Sequence, residues 1–307
     1  MPRSRSLPRP HDAGRDRSNS TFVRFYRLTR LLLHIAYGCV GVAVIFPFFS
    51  HQRRRRAIQG WSRQMLRIVH LRLTVCGSPP SRQQPTLIVS NHVSWLDICV
   101  LDSVTPLRFV AKSDVRGWPL IGSLASGVGT IFIERGNPLG TVRTNRAIVQ
   151  ALARGERVAM FPEGTSTDGR EIKPFHASLF QPALEAGAHV VVVALRYVNP
   201  DGSVNLDASY AGERSLWESF RLVAGRPSLH AELIFAASID VNGHARADIA
   251  RAAECAAADA LQLPRPSRKS GTAVGLPDAT LSPFSDSTFP VRSGSAPTSG
   301  PALISDR

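Results

Sequence analysis

Acidic residues are nearly missing from the first quarter of this 307-residue chain. Residues 1–72 set fifteen arginines against Asp12 and Asp16 alone, which accounts for +13 of a net charge of +14. Such a basic segment points to nucleic acid or to an anionic membrane surface. The aromatic content is only 7%, and the sequence lacks interleaved aromatic platforms of the stacking kind and any nucleic-acid fold signature, so RNA and DNA are set aside as partners. Cysteine is also scarce. Cys39, Cys76, Cys99 and Cys255 lack the close paired spacing of a zinc site and are too few to staple a disulfide scaffold, so no metal is expected and a reducing compartment is the default. The chain has no internal repeat and no Gly-x-Ser-x-Gly elbow, which argues against an ordinary serine hydrolase. Wholesale disorder is excluded by a hydrophobic content of 43%.

What is present divides the chain into four stretches. Residues 1–20, rich in Arg, Ser, Pro and Asp, bury too little to order themselves and read as a flexible basic arm. Residues 21–70 read as a membrane-anchoring helical segment. Within it Leu31–Phe49 is almost wholly apolar, with His34 its one ionisable interruption, and makes about 28 Å of helix, marginal for a bilayer. Arg24, Arg27 and Arg30 flank this run on one side and Arg53 to Arg56 on the other, so the basic residues fix no orientation. A helix that dips in and returns to one face fits better than a plain crossing. No small-residue cleavage pattern follows, so it is not a secretory signal. Ile58, Trp61, Met65 and Ile68 then recur at helical spacing beside Arg55, Arg63 and Arg67, the pattern of a basic helix in the headgroup layer or of a core-facing amphipathic helix. Its place directly after the apolar run favours the headgroup layer.

From residue 71 to 263, short β-rich runs alternate with helical ones, which predicts one α/β domain whose sheet is covered on its faces. The expected strands are Leu71–Cys76, Thr86–Ser90, Leu107–Lys112, Thr130–Glu134, Arg157–Phe161, Val190–Tyr197 and His230–Phe235. The expected helices are Leu96–Val104, Leu139–Arg154, His176–Ala186 and His244–Leu263. Residues 264–307 shift to Ser, Pro, Gly and Thr and read as a disordered tail.

Three stretches can carry chemistry. Asn91-His92-Val93-Ser94-Trp95-Leu96-Asp97 follows an apolar strand and precedes a helix. Residues five apart on one helix face different ways, so His92 has to stand on the turn for Asp97, inside the helix, to reach back to it. The carboxylate would then hold one ring nitrogen as N–H and leave the other free to take a proton. With no nucleophile elbow in the chain, the nucleophile is a hydroxyl brought by the substrate. The second stretch, Phe161-Pro162-Glu163-Gly164-Thr165-Ser166, also leaves a strand, with proline ending the ladder and glycine permitting close backbone approach. The third, Gly129 to Arg135, delivers Arg135 at a strand's carboxyl end, where it can grip a phosphate or stand as one more surface arginine.

This ordered series resembles the glycerolipid acyltransferase family, which includes the bacterial 1-acylglycerol-3-phosphate acyltransferases, over roughly Arg53 to Leu263. Asn91, His92 and Asp97 match its Asn-His-x-x-x-x-Asp block, Gly129 through Arg135 its Gly-x-Ile-Phe-Ile-x-Arg block, and Phe161 through Thr165 its Phe-Pro-Glu-Gly-Thr block. The run Phe109 to Asp114, followed by Trp118 to Gly122, is similar to the segment between the first two blocks and makes Lys112 a secondary acceptor-site candidate. The chain departs from the family twice. Ser166 stands where arginine commonly follows the third block, and Val192 where a proline commonly sits between valines of a fourth. A branch acylating lyso-ornithine lipid shares the hydroxyl-acylating machinery without requiring the same phosphate grip.

The resemblance implies a single acyltransferase domain, an α/β fold with a central mixed sheet flanked by helices, behind an N-terminal membrane-associated helical segment. It implies an acyl transfer from a thioester donor, acyl-CoA or acyl carrier protein, to the free hydroxyl of a lysolipid, with no cofactor. The expected acceptor is 1-acyl-sn-glycerol-3-phosphate, with lyso-ornithine lipid as the alternative and a non-catalytic lipid-binding membrane protein as the reading of another class. His92 and Asp97 are the expected catalytic pair. Lys112, Arg135, Glu163, Gly164 and Thr165 are the expected substrate-binding residues, Glu163 and Gly164 shaping the acceptor site and Arg135 holding the anionic head. The site would face the cytosol at the cell membrane, anchored through Leu31–Phe49.

Overall fold

The computed structural model describes residues 21–80, 84–134, 138–266 and 281–282. The expectations of a flexible arm at 1–20 and of disorder over most of 264–307 therefore lie outside the described residues, as does Arg135. In chain order the elements are α1 (Thr21–Val40), α2 (His51–Ile68), β1 (Leu71–Cys76), β2 (Thr86–Ser90), α3 (Leu96–Val104), β3 (Arg108–Lys112), α4 (Ile121–Gly127), β4 (Ile131–Ile133), α5 (Pro138–Ala153), β5 (Arg157–Met160), α6 (Gln181–Ala186), β6 (His189–Val198), α7 (Leu216–Gly225), β7 (Leu229–Ile239), α8 (Arg246–Leu261) and β8 (Leu281–Ser282).

The sheet runs in the order β1-β7-β6-β2-β5-β3-β4, with the two residues of β8 paired to the end of β7. Every pairing along this path is parallel except β6 with β7, so the sheet is mixed. Both faces are covered, which is why the central strands read as unbroken apolar runs. On β6, Val191, Val193 and Leu195 enter the core beneath α1, α2, α3 and α7, while Val190, Val192 and Ala194 enter the core beneath α5, α6 and α8. Val192, standing where the family carries proline, lies beside a register shift between β6 and β7.

The N-terminal helix begins ten residues before the expected apolar run. From Thr21 to Phe48 it is long and apolar enough to cross a membrane, and passes through one π-helical turn at Gly41–Ile45 and a 3-10 turn at Phe46–Phe48. Phe22, Phe25, Leu33, Tyr37, Val44 and Phe48 stand exposed along it. His34 is accommodated by α2. Its ring stacks on Trp61 at 4.8 Å, its Nε2 bonds the Trp61 carbonyl at 3.0 Å, and the indole N–H donates to the His34 carbonyl at 3.1 Å. Gly38 makes room for this, since a Cβ there would lie 2.7 Å from the Trp61 indole nitrogen.

The headgroup-layer reading of α2 is corrected. Met65 and Ile68 are buried in the core and Trp61 packs against it, so the apolar face of α2 turns inward. Its arginines are divided. Arg55 donates to the Pro106 carbonyl and Arg63 to the Ser103 carbonyl, while Gln59 bonds the Ser103 and Val104 carbonyls, so α2 supplies donors to the carboxyl end of α3. Arg53 and Arg56 remain exposed.

Candidate active site

The parallel strands β2, β5, β3 and β4 present their carboxyl ends along one edge of the sheet, where ligands of open α/β sheets bind. Because β2 and β5 are neighbours, the stretches that follow them, Asn91 to Asp97 and Phe161 to Ser166, meet.

Asn91 makes the exit from β2. Its amide gives and takes one hydrogen bond with the Leu195 backbone, both 2.8 Å, so a side chain stands in for the next rung of the β2–β6 ladder and frees the main chain to turn. His92 sits on that turn. Its Nδ1 lies 2.8 Å from Asp97 Oδ2, and Asp97, in the first turn of α3, has no solvent exposure. The same Oδ2 accepts the Val93 and Ser94 N–H groups at 2.7 and 2.9 Å, and Oδ1 accepts the Tyr197 hydroxyl at 2.7 Å. A carboxylate so surrounded by donors is an acceptor only, so His92 carries its proton on Nδ1 and Nε2 is the basic nitrogen. The imidazole stacks on Phe161 at 4.0 Å and is one-fifth exposed.

Glu163 reaches the turn that bears His92. It is buried, and its carboxylate accepts the His92 N–H at 2.8 Å on one oxygen and the Lys173 N–H at 2.9 Å on the other. Burial pushes its carboxyl up to about 7, although these two amides oppose the rise. The His92 carbonyl in turn accepts the Thr167 N–H at 2.8 Å. The peptide groups on both sides of the histidine are therefore bolted to the loop that follows β5.

His92 opens onto a cavity of about 1270 Å³, lined mainly by apolar side chains. One wall comes from α1, the two turns that follow it and α2, through Ile35, Val42, Phe46 and Ile58, and the other from the sheet edge through Phe109 and Phe161. Lys112, Gly164, Thr165 and Ser166 also line it, and Glu163 does not. The Gly164 N–H donates to the Phe161 carbonyl, closing a tight turn at φ +66° that favours glycine. At Ser166, where the family commonly has arginine, the hydroxyl donates to the Tyr210 carbonyl. Two buried groups on α3 also face the cavity. Burial raises the Cys99 thiol far above its ordinary range and pushes the Asp102 carboxyl up to about 8. Among the described residues no group of three or more His, Cys, Asp or Glu could hold a metal ion.

Tyr197, Thr167 and the Lys173 N–H were not singled out from the sequence. Tyr197 lies inside an expected strand with nothing local to mark it, and the other two act through backbone groups, which carry no signature.

A histidine bonded to a buried carboxylate at the wall of an apolar cavity, on an α/β scaffold, can take a proton from a hydroxyl brought by an apolar substrate. The comparisons supply the family. Residues 72–196 match the Acyltransferase family. The chain is 38% identical over 195 residues to a 1-acyl-sn-glycerol-3-phosphate acyltransferase of Neisseria meningitidis, covering 62% of this chain and 75% of that one. It is 39% identical over 204 residues to a lyso-ornithine lipid O-acyltransferase of Pseudomonas aeruginosa, covering 66% and 76%. In fold it is similar to the crystal structure of the 1-acyl-sn-glycerophosphate acyltransferase PlsC from Thermotoga maritima, with a TM-score of 0.54 at 17% identity over 78% of this chain and 96% of that one. The chain belongs to the acyltransferase family that holds the 1-acylglycerol-3-phosphate and lyso-ornithine lipid acyltransferases, and it is an acyltransferase.

Proposed function

We propose that the chain moves an acyl group from a thioester donor, acyl-CoA or acyl carrier protein, onto the free hydroxyl of a lysolipid at the cytoplasmic face of the cell membrane. The observation that carries this reading is the His92–Asp97 pair set in the wall of an apolar cavity whose other wall is the membrane-length helix α1 with α2. His92 Nε2 takes the proton of the acceptor hydroxyl as its oxygen attacks the thioester carbonyl. Asp97 holds the resulting imidazolium. Collapse of the tetrahedral intermediate breaks the carbon–sulfur bond, and the departing thiolate recovers the proton from the imidazolium, so no acyl-enzyme forms and no cofactor is consumed. General-base assistance of this kind is worth ~10²–10⁴-fold.

Lys112 and Thr165, on the cavity wall, are assigned with Arg135 to the acceptor's head, and Gly164 keeps the wall close to it. Glu163 is assigned to holding His92, since both of its oxygens are taken by backbone N–H groups. The acceptor is 1-acyl-sn-glycerol-3-phosphate. Ser166 favours lyso-ornithine lipid as a second reading, because its small hydroxyl, turned to the Tyr210 carbonyl, replaces a cation at the cavity wall. Incubating the purified protein in mixed micelles with labelled acyl-CoA or acyl carrier protein, and with each lysolipid separately, tests both readings. Label in phosphatidic acid supports the first and label in ornithine lipid the second, and label in neither refutes the assignment.

A further inference from the structure

We infer that Tyr197 is a positioning residue for the His92–Asp97 base, its phenol fixing the carboxylate and tempering how strongly that carboxylate holds the imidazole's proton. The inference rests on the reading of His92 as the base.

The arrangement around Asp97 is lopsided. Oδ2 gathers three donors, His92 Nδ1 and the Val93 and Ser94 N–H groups, at 2.7–2.9 Å, whereas the Tyr197 hydroxyl at 2.7 Å is the hydrogen-bond donor recorded on Oδ1. Asp97 has no solvent exposure and Tyr197 is 1% exposed, so water does not replace that donor. The tyrosine arrives from β6 beyond the end of its pairing with β2, which stops at Ser90 opposite Val193. That extension carries the phenol past the end of β2 to the turn bearing His92. A phenylalanine would fill the same volume. It would leave a charged oxygen dry and unpaired, so the hydroxyl is what packing alone leaves unexplained.

Withdrawing one donor from a carboxylate concentrates its negative charge, and the other oxygen then attracts the imidazole proton more strongly. The histidine stays protonated to higher pH and is unavailable as a base over a wider range. The ionisable groups around the carboxylate are His92, Glu163 across the turn, and Cys99 on α3 with Tyr197 itself; the Ser94 hydroxyl also reaches the phenol.

The test is Tyr197→Phe, followed by two readouts in the full-length protein in detergent: kcat/KM against pH, and the titration of the His92 ring by nitrogen NMR. The acid limb and the titration midpoint should both rise by about 0.5–1 unit. Activity below the midpoint should fall roughly 3–10-fold, and the acceptor KM should hold. Where Tyr197→Phe does not fold, 3-fluorotyrosine placed at position 197 is nearly isosteric and a stronger donor, and should move the midpoint downward. A midpoint that stays at the wild-type value while only the melting temperature drops overturns the inference and leaves Tyr197 as packing. A shifted midpoint in a protein that transfers no acyl group supports it while overturning the proposed function.

Discussion

Glu163 separates two roles that sequence resemblance merges, touching the acceptor and holding the base, and Glu163→Gln distinguishes them. An ionised carboxylate can accept the His92 and Lys173 N–H groups at once, at 2.8 and 2.9 Å. A glutamine offers one oxygen, and its amide nitrogen would face the other N–H donor to donor. Leaving one buried N–H unpaired costs about 1–3 kcal/mol. Removing a carboxyl that burial has pushed up to about 7 gives back a contribution of similar size at pH 8, where the wild-type group is mainly charged. The two offset each other, so the melting temperature should stay within a few degrees of wild type. The larger effect is on rate, because one of the two amides held by the carboxylate is that of His92 and its geometry sets the ring. Displacing a general base by a fraction of an ångström to 1 Å should lower kcat by roughly 10- to 100-fold with little change in the acceptor KM. Steady-state kinetics with varied lysolipid at saturating acyl donor reads this split. A raised KM with kcat preserved would place Glu163 on the acceptor and refute the argument.

Asp102 and the arginines of α2 supply further expectations. Asp102, pushed up to about 8 by burial from an ordinary 3.8, keeps in the folded protein a proton that the unfolded chain releases. Its contribution to stability is present in full below about pH 4 and is lost as pH rises through about 8, a decline on the order of a few kcal/mol. Asp102→Asn retains an acceptor for the Leu107 N–H and should flatten that slope in denaturant titrations across this range, whereas an unchanged slope would trace it to another group. Neutralising the exposed Arg53 and Arg56 should weaken partitioning onto anionic vesicles by about 1 kcal/mol per charge at low salt, with the melting temperature held. Replacing Arg55 and Arg63 with methionine should instead lower the melting temperature, since those side chains bond carbonyls at the end of α3. Equal partitioning losses from both pairs would contradict the division.

Much of the architecture was legible because periodicity and burial agree there. The runs Leu87-Ile88-Val89 and Val190 to Leu195 are buried on both faces, so their unbroken apolar character read directly as strands. Two helices were missed. The first, α7, carries a readable start, Ser215 three residues before Glu218, and Ser215 does accept the Glu218 N–H. Leu216, Phe220 and Val223 follow on one face, but the segment is short and bordered by glycine. The second, α4, spans Ile121–Gly127 behind a left-handed Leu120 at φ +61°, a conformation no periodicity announces. The headgroup reading of α2 failed because an amphipathic helix has the same pattern whether its apolar face meets lipid or core; the partners, here α3 and α1, leave no mark on its own periodicity. The contact between His92 and Asp97 could be anticipated, because strand, turn and helix lie within seven residues. The bond from Tyr197, a hundred residues away, could not.

The most direct measurement is single-turnover acyl transfer by His92→Ala in micelles, with labelled acyl donor and the acceptor that the wild-type protein uses. The account predicts a loss of ~10²–10⁴-fold in rate with vesicle binding and melting temperature close to wild type. Transfer at a near-normal rate by a folded His92→Ala protein would contradict it, and the proton would then have to be taken by another group.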